Sequence, residues 1–156
     1  MSRVFRSLAN SRHADEVVHR LTQLRPDSRR RWGRMTAHQM ICHLSDAFVM
    51  GTPHKPVSEA RGLHNRTIVK WLALYGVLPW PAGIVTRPEI NQAIGGTPPT
   101  EFDRDVTSLE ALVVAAASEP GFFRDRRHPI FGPLSEAAWL RWGYLHMDHH
   151  LRQFGV

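Results

Sequence analysis

Met35-Thr-Ala-His-Gln-Met-Ile-Cys-His-Leu-Ser-Asp-Ala-Phe48 is the stretch from which the fold is read. Thr36 and Gln39 stand at the spacing of a capping box, in which each side chain satisfies an orphan amide of a first helical turn. Met35 and Met40 occupy the two positions of a hydrophobic staple around that cap. Beyond it, Met40, Leu44 and Ala47 recur at helical spacing and mark a core face. The segment predicts a helix over 36–50 with a sharp start and one apolar stripe turned inward.

Outward from this helix, eleven prolines punctuate the chain. Each would cost about 3 kcal/mol inside a helix. Between them lie five proline-free stretches with helical periodicity, near 4–24, 36–50, 63–78, 100–119 and 135–153. Ala14, Val17, Val18, Leu21 and Leu24 line one face of the first, and Val106, Leu109, Leu112, Val113 and Ala116 one face of the fourth. Ser135 is the expected N-cap of the fifth, with Leu134 and Trp139 as staple partners. No stretch alternates with period two, and no hairpin dipeptide is present. Short links suit antiparallel neighbours, and one long crossover suits two parallel helices. The expectation is a single all-α domain over 1–156. It is a four-helix bundle, up-down-down-up, with an accessory helix in the long crossover between bundle helices two and three.

That crossover holds the most apolar run, Ile68 to Val85. A membrane span needs about 20 apolar residues. Lys70 interrupts the run, and Pro79 and Pro81 break it, so a buried helix or a hydrophobic lid is expected rather than a transmembrane span. The stretch Trp71–Trp80 is long for so small a domain, and a dimer contact or surface membrane attachment through Trp71, Leu74, Tyr75 and Trp80 stays open.

Composition sets the outer bounds. Hydrophobic residues at 42% and charged residues at 22% exclude a wholly disordered chain. The single cysteine, Cys42, excludes an intramolecular disulfide framework and any multi-cysteine zinc module. The first ten residues carry Arg3 and Arg6 but no apolar run of secretory type, so a soluble cytoplasmic protein is expected. The net charge of +6 lies wholly in the first fifth of the chain, where nine arginines up to Arg34 face Asp15, Glu16 and Asp27. An Arg25–Arg34 segment of this kind can meet an acidic partner through phosphate contacts. With no aromatic-interleaved stripe or nucleic-acid motif beside it, it is read as a solvated turn, and no nucleic-acid partner is expected.

Ten histidines are the only group that suggests chemistry. His146 and His150, four apart, share one helix face. Spacing alone carries little, because ten histidines produce such pairs by chance. The helical wheel adds more: Arg141, Asp148 and Arg152 mark a solvent side, and His146 and His150 lie almost opposite it with Trp139 and Gly143. His149 falls at the flank. Gly143 removes a side chain where space for the imidazoles is needed. On the capped helix His43 lies at the edge of the core face, with Asp46 one turn on as its orienter or as a base, while His38 and Cys42 fall on the polar side. His13, His19, His54, His64 and His128 are weak candidates, and Cys42 is read as a small buried hydrophobe.

The capped helix carrying Ala37-His-Gln-Met-Ile-Cys-His43-Leu-Ser-Asp46, with a final helix carrying His146-x-x-x-His150, resembles the DinB/YfiT superfamily. The segment from His128-Pro-Ile-Phe-Gly-Pro-Leu134 through Trp139 to His146-Met-Asp-His-His-Leu-Arg-Gln-Phe-Gly155 is similar to a DinB-like branch with no assigned function, and Leu78-Pro-Trp80-Pro81 fits it too. The resemblance implies a four-helix bundle, a homodimer, and a divalent metal held by three histidines, here His43, His146 and His150. Members of known activity use such a metal with a low-molecular-weight thiol, as bacillithiol or mycothiol S-transferases and as a mycothiol-dependent maleylpyruvate isomerase.

Three neutral imidazoles leave a bound ion its full charge and an open position, which acidifies a water or a thiol. Zinc or nickel suits such a set, and iron or manganese is also accepted. Trp139, Trp142, Trp80 and Phe48 are expected to wall the pocket. The leading expectation is a metal-dependent enzyme acting on a small molecule, by thiol transfer or hydrolysis. The alternatives are a non-catalytic metal- or ligand-binding stress-response module on the same fold, and an anionic-surface binder using Arg25–Arg34.

Overall fold

Each helix starts where a side chain can take up the free amides of its first turn. Asn10 accepts from the Arg12 amide and opens α1 (Ser11–Leu21). Thr36 and Gln39 form the full reciprocal capping box that opens α2 (Ala37–Val49). Glu101 accepts from the amides of Asp103 and Arg104 at the head of α4 (Phe102–Ser118), and Ser135 accepts from Ala138 at the head of α5 (Glu136–Gln153). Only α3 (Ile68–Tyr75), in the crossover, starts without a side-chain cap. The computed structural model describes residues 5–156 (for Leu63 and Asn65, the backbone).

α1 packs on α4 and α5, α2 packs on α4 and α5, and α3 packs on α5. Among them lies one apolar cluster. Val17 and Leu21 come from α1, Met40, Ile41, Leu44 and Phe48 from α2, Leu109 and Val113 from α4, and Trp139, Met147 and Leu151 from α5. The chain is thus mostly helical, as the proline spacing requires.

Several boundaries move. The first helix begins at Ser11, because the segment before it turns at Ser7 and the Leu8 amide donates to the Leu140 carbonyl of α5 (3.1 Å). The part of that expected helix at residue 4 lies outside the described residues. The expected helix over 63–78 divides into a 3₁₀ turn, Leu63–Arg66, and α3, which stops at Gly76. A two-residue antiparallel ladder, β1 (Arg127–His128) with β2 (Gly132–Pro133), closes the loop before α5.

The wheel for α5 is corrected at Arg141. It is buried, donating from Nη1 to the Arg6 carbonyl (2.8 Å) and from Nε to the Leu74 carbonyl of α3. Its guanidinium lies over Phe5 and Tyr75. A wheel assumes one solvent face, but α5 is covered by α1, α2 and α3, so only Asp148 and Arg152 keep the outward role, paired with each other and with Arg20. Gly143 also serves another purpose than expected: a Cβ there would meet Leu8 Cδ1 at 2.9 Å and Phe48 at 3.5 Å, so the space belongs to the core.

The crossover is tied down by polar clamps. Asp46 accepts from the Thr97 amide (2.8 Å) and hydroxyl (2.5 Å) and pairs with Lys55 (3.1 Å). Arg87 donates to the Ser58 carbonyl and hydroxyl, and the Trp80 indole N–H donates to the Ala73 carbonyl (2.7 Å). Of the two expectations for this run, a buried helix or a hydrophobic lid, the first does not hold for α3: only Leu74 is buried, while Ile68, Trp71, Leu72 and Tyr75 are exposed. Among the described residues no helix is long and apolar enough to cross a membrane.

Two substitutions test these assignments. Thr36→Ala lowers stability by about 1 kcal/mol, the usual worth of an N-cap, seen as a lower urea midpoint with unchanged slope. Arg141→Ala strands the Leu74 and Arg6 carbonyls, costs about 2–3 kcal/mol, and makes the α3 region cut faster in limited proteolysis.

Candidate metal centre

α2 supplies His43, and α5 supplies His146 and His150 one turn apart. The capping box fixes where α2 begins, and with it the direction of His43. Each of the three has at least nine-tenths of its surface buried. Their rings meet edge to face, with centroids 5.2 Å apart for His43–His146 and 4.9 Å for each of the other pairs. One nitrogen from each lies within 4.8 Å of the others.

Hydrogen bonds decide which nitrogens converge. His43 Nδ1–H donates to the Ile90 carbonyl (2.8 Å), so Nε2 carries the lone pair. His150 Nδ1–H donates to Gln153 Oε1 (2.9 Å), and Gln153 Nε2 donates in turn to the Trp32 carbonyl (2.8 Å). That chain fixes the Gln153 amide and therefore the tautomer of His150. His43 Nε2 and His146 Nε2 lie 3.3 Å apart, while His146 Nδ1 is buried without a partner. Nitrogens held about 2.0–2.1 Å from a tetrahedral ion are spaced at about that distance. The donor set and the tautomers fixed for His43 and His150 fit a divalent cation bound by His43, His146 and His150.

The electrostatics agree with neutral ligands. Burial pushes His146 and His150 well below the ordinary imidazole pKa, reinforced for His146 by His150 and His43 and for His150 by His43. Burial also lowers His43, against the opposing pull of the Ile90 carbonyl and the Asp46 charge. Asp46 does not orient His43 through a hydrogen bond: its oxygens are taken by Thr97, Lys55 and Gln92. The orienter is the Ile90 carbonyl, and the Asp46 carboxylate acts on His43 only through its charge.

Around the trio stand Trp142 (4.9 Å from His146) and Trp80 (6.0 Å from both His146 and His149). Trp139 and Phe48 belong to the layer behind, stacked on or tilted against Phe123 and packed on Trp142. His149, placed at the flank by the wheel, is buried between Trp32 and Trp80 and does not join the close-set donors. The Arg25–Arg34 segment has a structural task here: the Arg31 amide donates to the Gln153 carbonyl (2.7 Å), which seats Trp32 on the end of α5. Gly33, at φ +78°, leaves room for the Gln153 amide, since a Cβ there would sit 2.5 Å from its nitrogen.

Two residues set aside in the sequence also matter. Cys42 is buried, as its reading as a small hydrophobe has it and despite its place on the polar side of the wheel, and burial together with Asp105 pushes its thiol up to about 12, so it stays protonated. His128 is buried too, accepting at Nδ1 from the amides of Ile130 (3.2 Å) and Phe131 (3.1 Å), with Nε2 unpartnered beside Trp139 and Trp142. Ile90, Gln153 and His128 were missed because their partners are backbone groups or distant segments. The one local signal was the i, i+3 spacing of His150 and Gln153.

Burial lowers the His128 pKa from 6.5 to about 3. The unfolded chain therefore binds its proton first. The neutral His128 favours folding fully above about pH 6.5, and that contribution is lost as the pH falls from there toward about 3, at up to about 1.4 kcal/mol per pH unit. Urea midpoints measured across this window fall less steeply in His128→Asn, whose side-chain oxygen can still accept from both amides. Comparison with protein families, curated proteins and solved structures finds no match to this chain, so the functional reading rests on the site itself.

Proposed function

We propose that this protein is a metal-dependent enzyme acting on a small molecule, of thiol S-transferase or hydrolase type, built on a four-helix bundle of α1, α2, α4 and α5. His43, His146 and His150 hold the metal, zinc or nickel by preference. The observation that carries the reading is the convergence of Nε2 atoms whose opposite nitrogens, in His43 and His150, are tied off by Ile90 and Gln153. When bound, the ion supplies Lewis acidity, lowering the pKa of a water or a low-molecular-weight thiol so that it becomes a nucleophile at neutral pH. Trp142 and Trp80 exclude bulk water and give an apolar wall to a substrate. The charge of Asp46 favours positive charge at His43, although its oxygens are already engaged. The likeness of the His43 and His146-x-x-x-His150 segments to the DinB/YfiT superfamily supports the same reading.

One observation favours the runner-up, a non-catalytic metal- or ligand-binding stress-response module. No carboxylate among the described residues joins the trio to move a proton. Turnover of a thiol with a small electrophile separates the two: the enzyme reading requires turnover that depends on added metal, and binding without turnover favours the module.

Elemental analysis of the untagged protein tests the ligand set. Wild type carries one more metal equivalent than His43→Ala, His146→Ala or His150→Ala, each with helicity retained. Metal content unchanged in all three variants overturns the assignment. Trp80 is half-buried and held over His146 by its bond to Ala73. Trp80→Ala therefore loses metal to a chelator about tenfold faster or more, the change expected when an apolar cover is removed, with the stoichiometry unaltered.

A further inference from the structure

A second group of donors lies where α2 meets α4, around the helix from His43. His38 and Cys42 stand one turn apart on α2, and Asp105 faces them from the first turns of α4. One ligand atom from each lies within 4.8 Å of the other two. His38 Nε2–H donates to Asp105 Oδ2 at 2.7 Å, and the Cys42 thiol approaches the same oxygen at 3.7 Å. The carboxylate is held in place from behind: the Thr100 amide donates to Oδ2 and the Thr100 hydroxyl to Oδ1, each at 3.0 Å. Phe102 closes one side, its ring edge-on to His38 at 5.3 Å. Cys42 is buried, but the His38 and Asp105 side chains are each 20% exposed, so solvent reaches the group from one direction.

A tie between the two helices needs only His38 and Asp105. The thiol turned onto the same oxygen adds a soft donor where one cation could meet nitrogen, sulfur and oxygen together. We propose that His38, Cys42 and Asp105 form a second site for a divalent cation of the zinc class, with water from the exposed side as the fourth ligand. Sulfur and imidazole select against magnesium and calcium, and a four-coordinate N, S, O set suits zinc and its spectroscopic substitute cobalt. On binding, the Cys42 thiol gives its proton to solvent, His38 shifts its proton to the ring nitrogen away from the ion, and the His38–Asp105 hydrogen bond opens to admit it. Thr100 keeps the carboxylate aimed throughout, as outer partners of metal ligands do. The site is independent of the three-imidazole centre and stands or falls separately from it.

Cys42 is the only cysteine in the chain, so a thiolate-to-cobalt charge-transfer band in the near ultraviolet reports ligation by Cys42 alone, and the histidine variants assign it to a site. Titration of the metal-free full-length protein with Co²⁺ produces that band to saturation. Cys42→Ser and His38→Ala abolish it, and Asp105→Asn, close to the carboxylate in shape, weakens cobalt binding there by about tenfold or more with the far-ultraviolet helical signal unchanged. His150→Ala, which cripples the other centre, keeps the band. Absence of the band in the wild type overturns the proposal. So does a band that survives His38→Ala and vanishes in His150→Ala, because the thiol would then serve the three-imidazole centre.

Discussion

Three imidazoles in mutual ring contact between α2 and α5, buried from water, must all be neutral, and most of the polar structure around them follows from that. Each neutral ring has one N–H that needs an acceptor and one lone pair that needs a donor or an ion. For His43 and His150 the N–H is satisfied outward, by the Ile90 carbonyl and by Gln153. The lone pairs are left facing the centre. Leaving a buried polar atom unpaired costs about 1–3 kcal/mol, so three inward nitrogens sharing one proton are a costly arrangement unless a cation takes the place of the missing donors. At 3.3 Å, His146 Nε2 is close enough to donate to the lone pair of His43 Nε2, the one pairing the three rings can make among themselves.

The long crossover supplies the acceptor for His43, and the basic segment, through the Trp32 carbonyl, fixes the Gln153 amide that accepts from His150. Ile90 is buried at a 3₁₀ turn, and its position depends on Thr97 and Lys55 gripping Asp46 on α2. Trp32 is fixed by the Arg31 amide on the Gln153 carbonyl, and Gly33 by the room it leaves the Gln153 side chain. Asp46 is in this sense a structural residue with an electrostatic side effect: it fastens the loop whose carbonyl orients His43. In Arg25–Arg34 it is the backbone that docks, while the arginines themselves are exposed.

Local signals carried much of this into the sequence. The Thr36–Gln39 box, the Ser135 cap and the proline spacing are short-range features, and they placed α2, α4 and α5 within a residue or two. The trio was legible because two of its members share one helix face and the third sits on the best-capped helix. What was not legible involves partners far apart in sequence or backbone atoms, which leave no pattern: the Ile90 carbonyl, Trp32 behind Gln153, the two carbonyls on Arg141, and Asp105 opposite His38. The wheel for α5 failed at Arg141 and His149 for a single reason, that a helix covered on three sides has almost no polar face to display. A charged residue on such a helix can be as buried as a leucine when carbonyls receive its protons.

The placement of His146 and His150 near the C-terminal end of α5 has an electrostatic consequence for any cation between them. The helix dipole puts partial negative charge at that end, worth about 0.3–1 kcal/mol to a nearby positive charge when exposed and up to about 2 kcal/mol when partly buried. Asp46 adds a full negative charge near enough to raise the basicity of His43. Neither would neutralise a divalent ion held by three uncharged rings, beside which stand the rings of Trp80 and Trp142. The charge of an ion bound there would therefore remain available to a further ligand. Around such an ion, at low dielectric, an anionic ligand would be favoured over a neutral one.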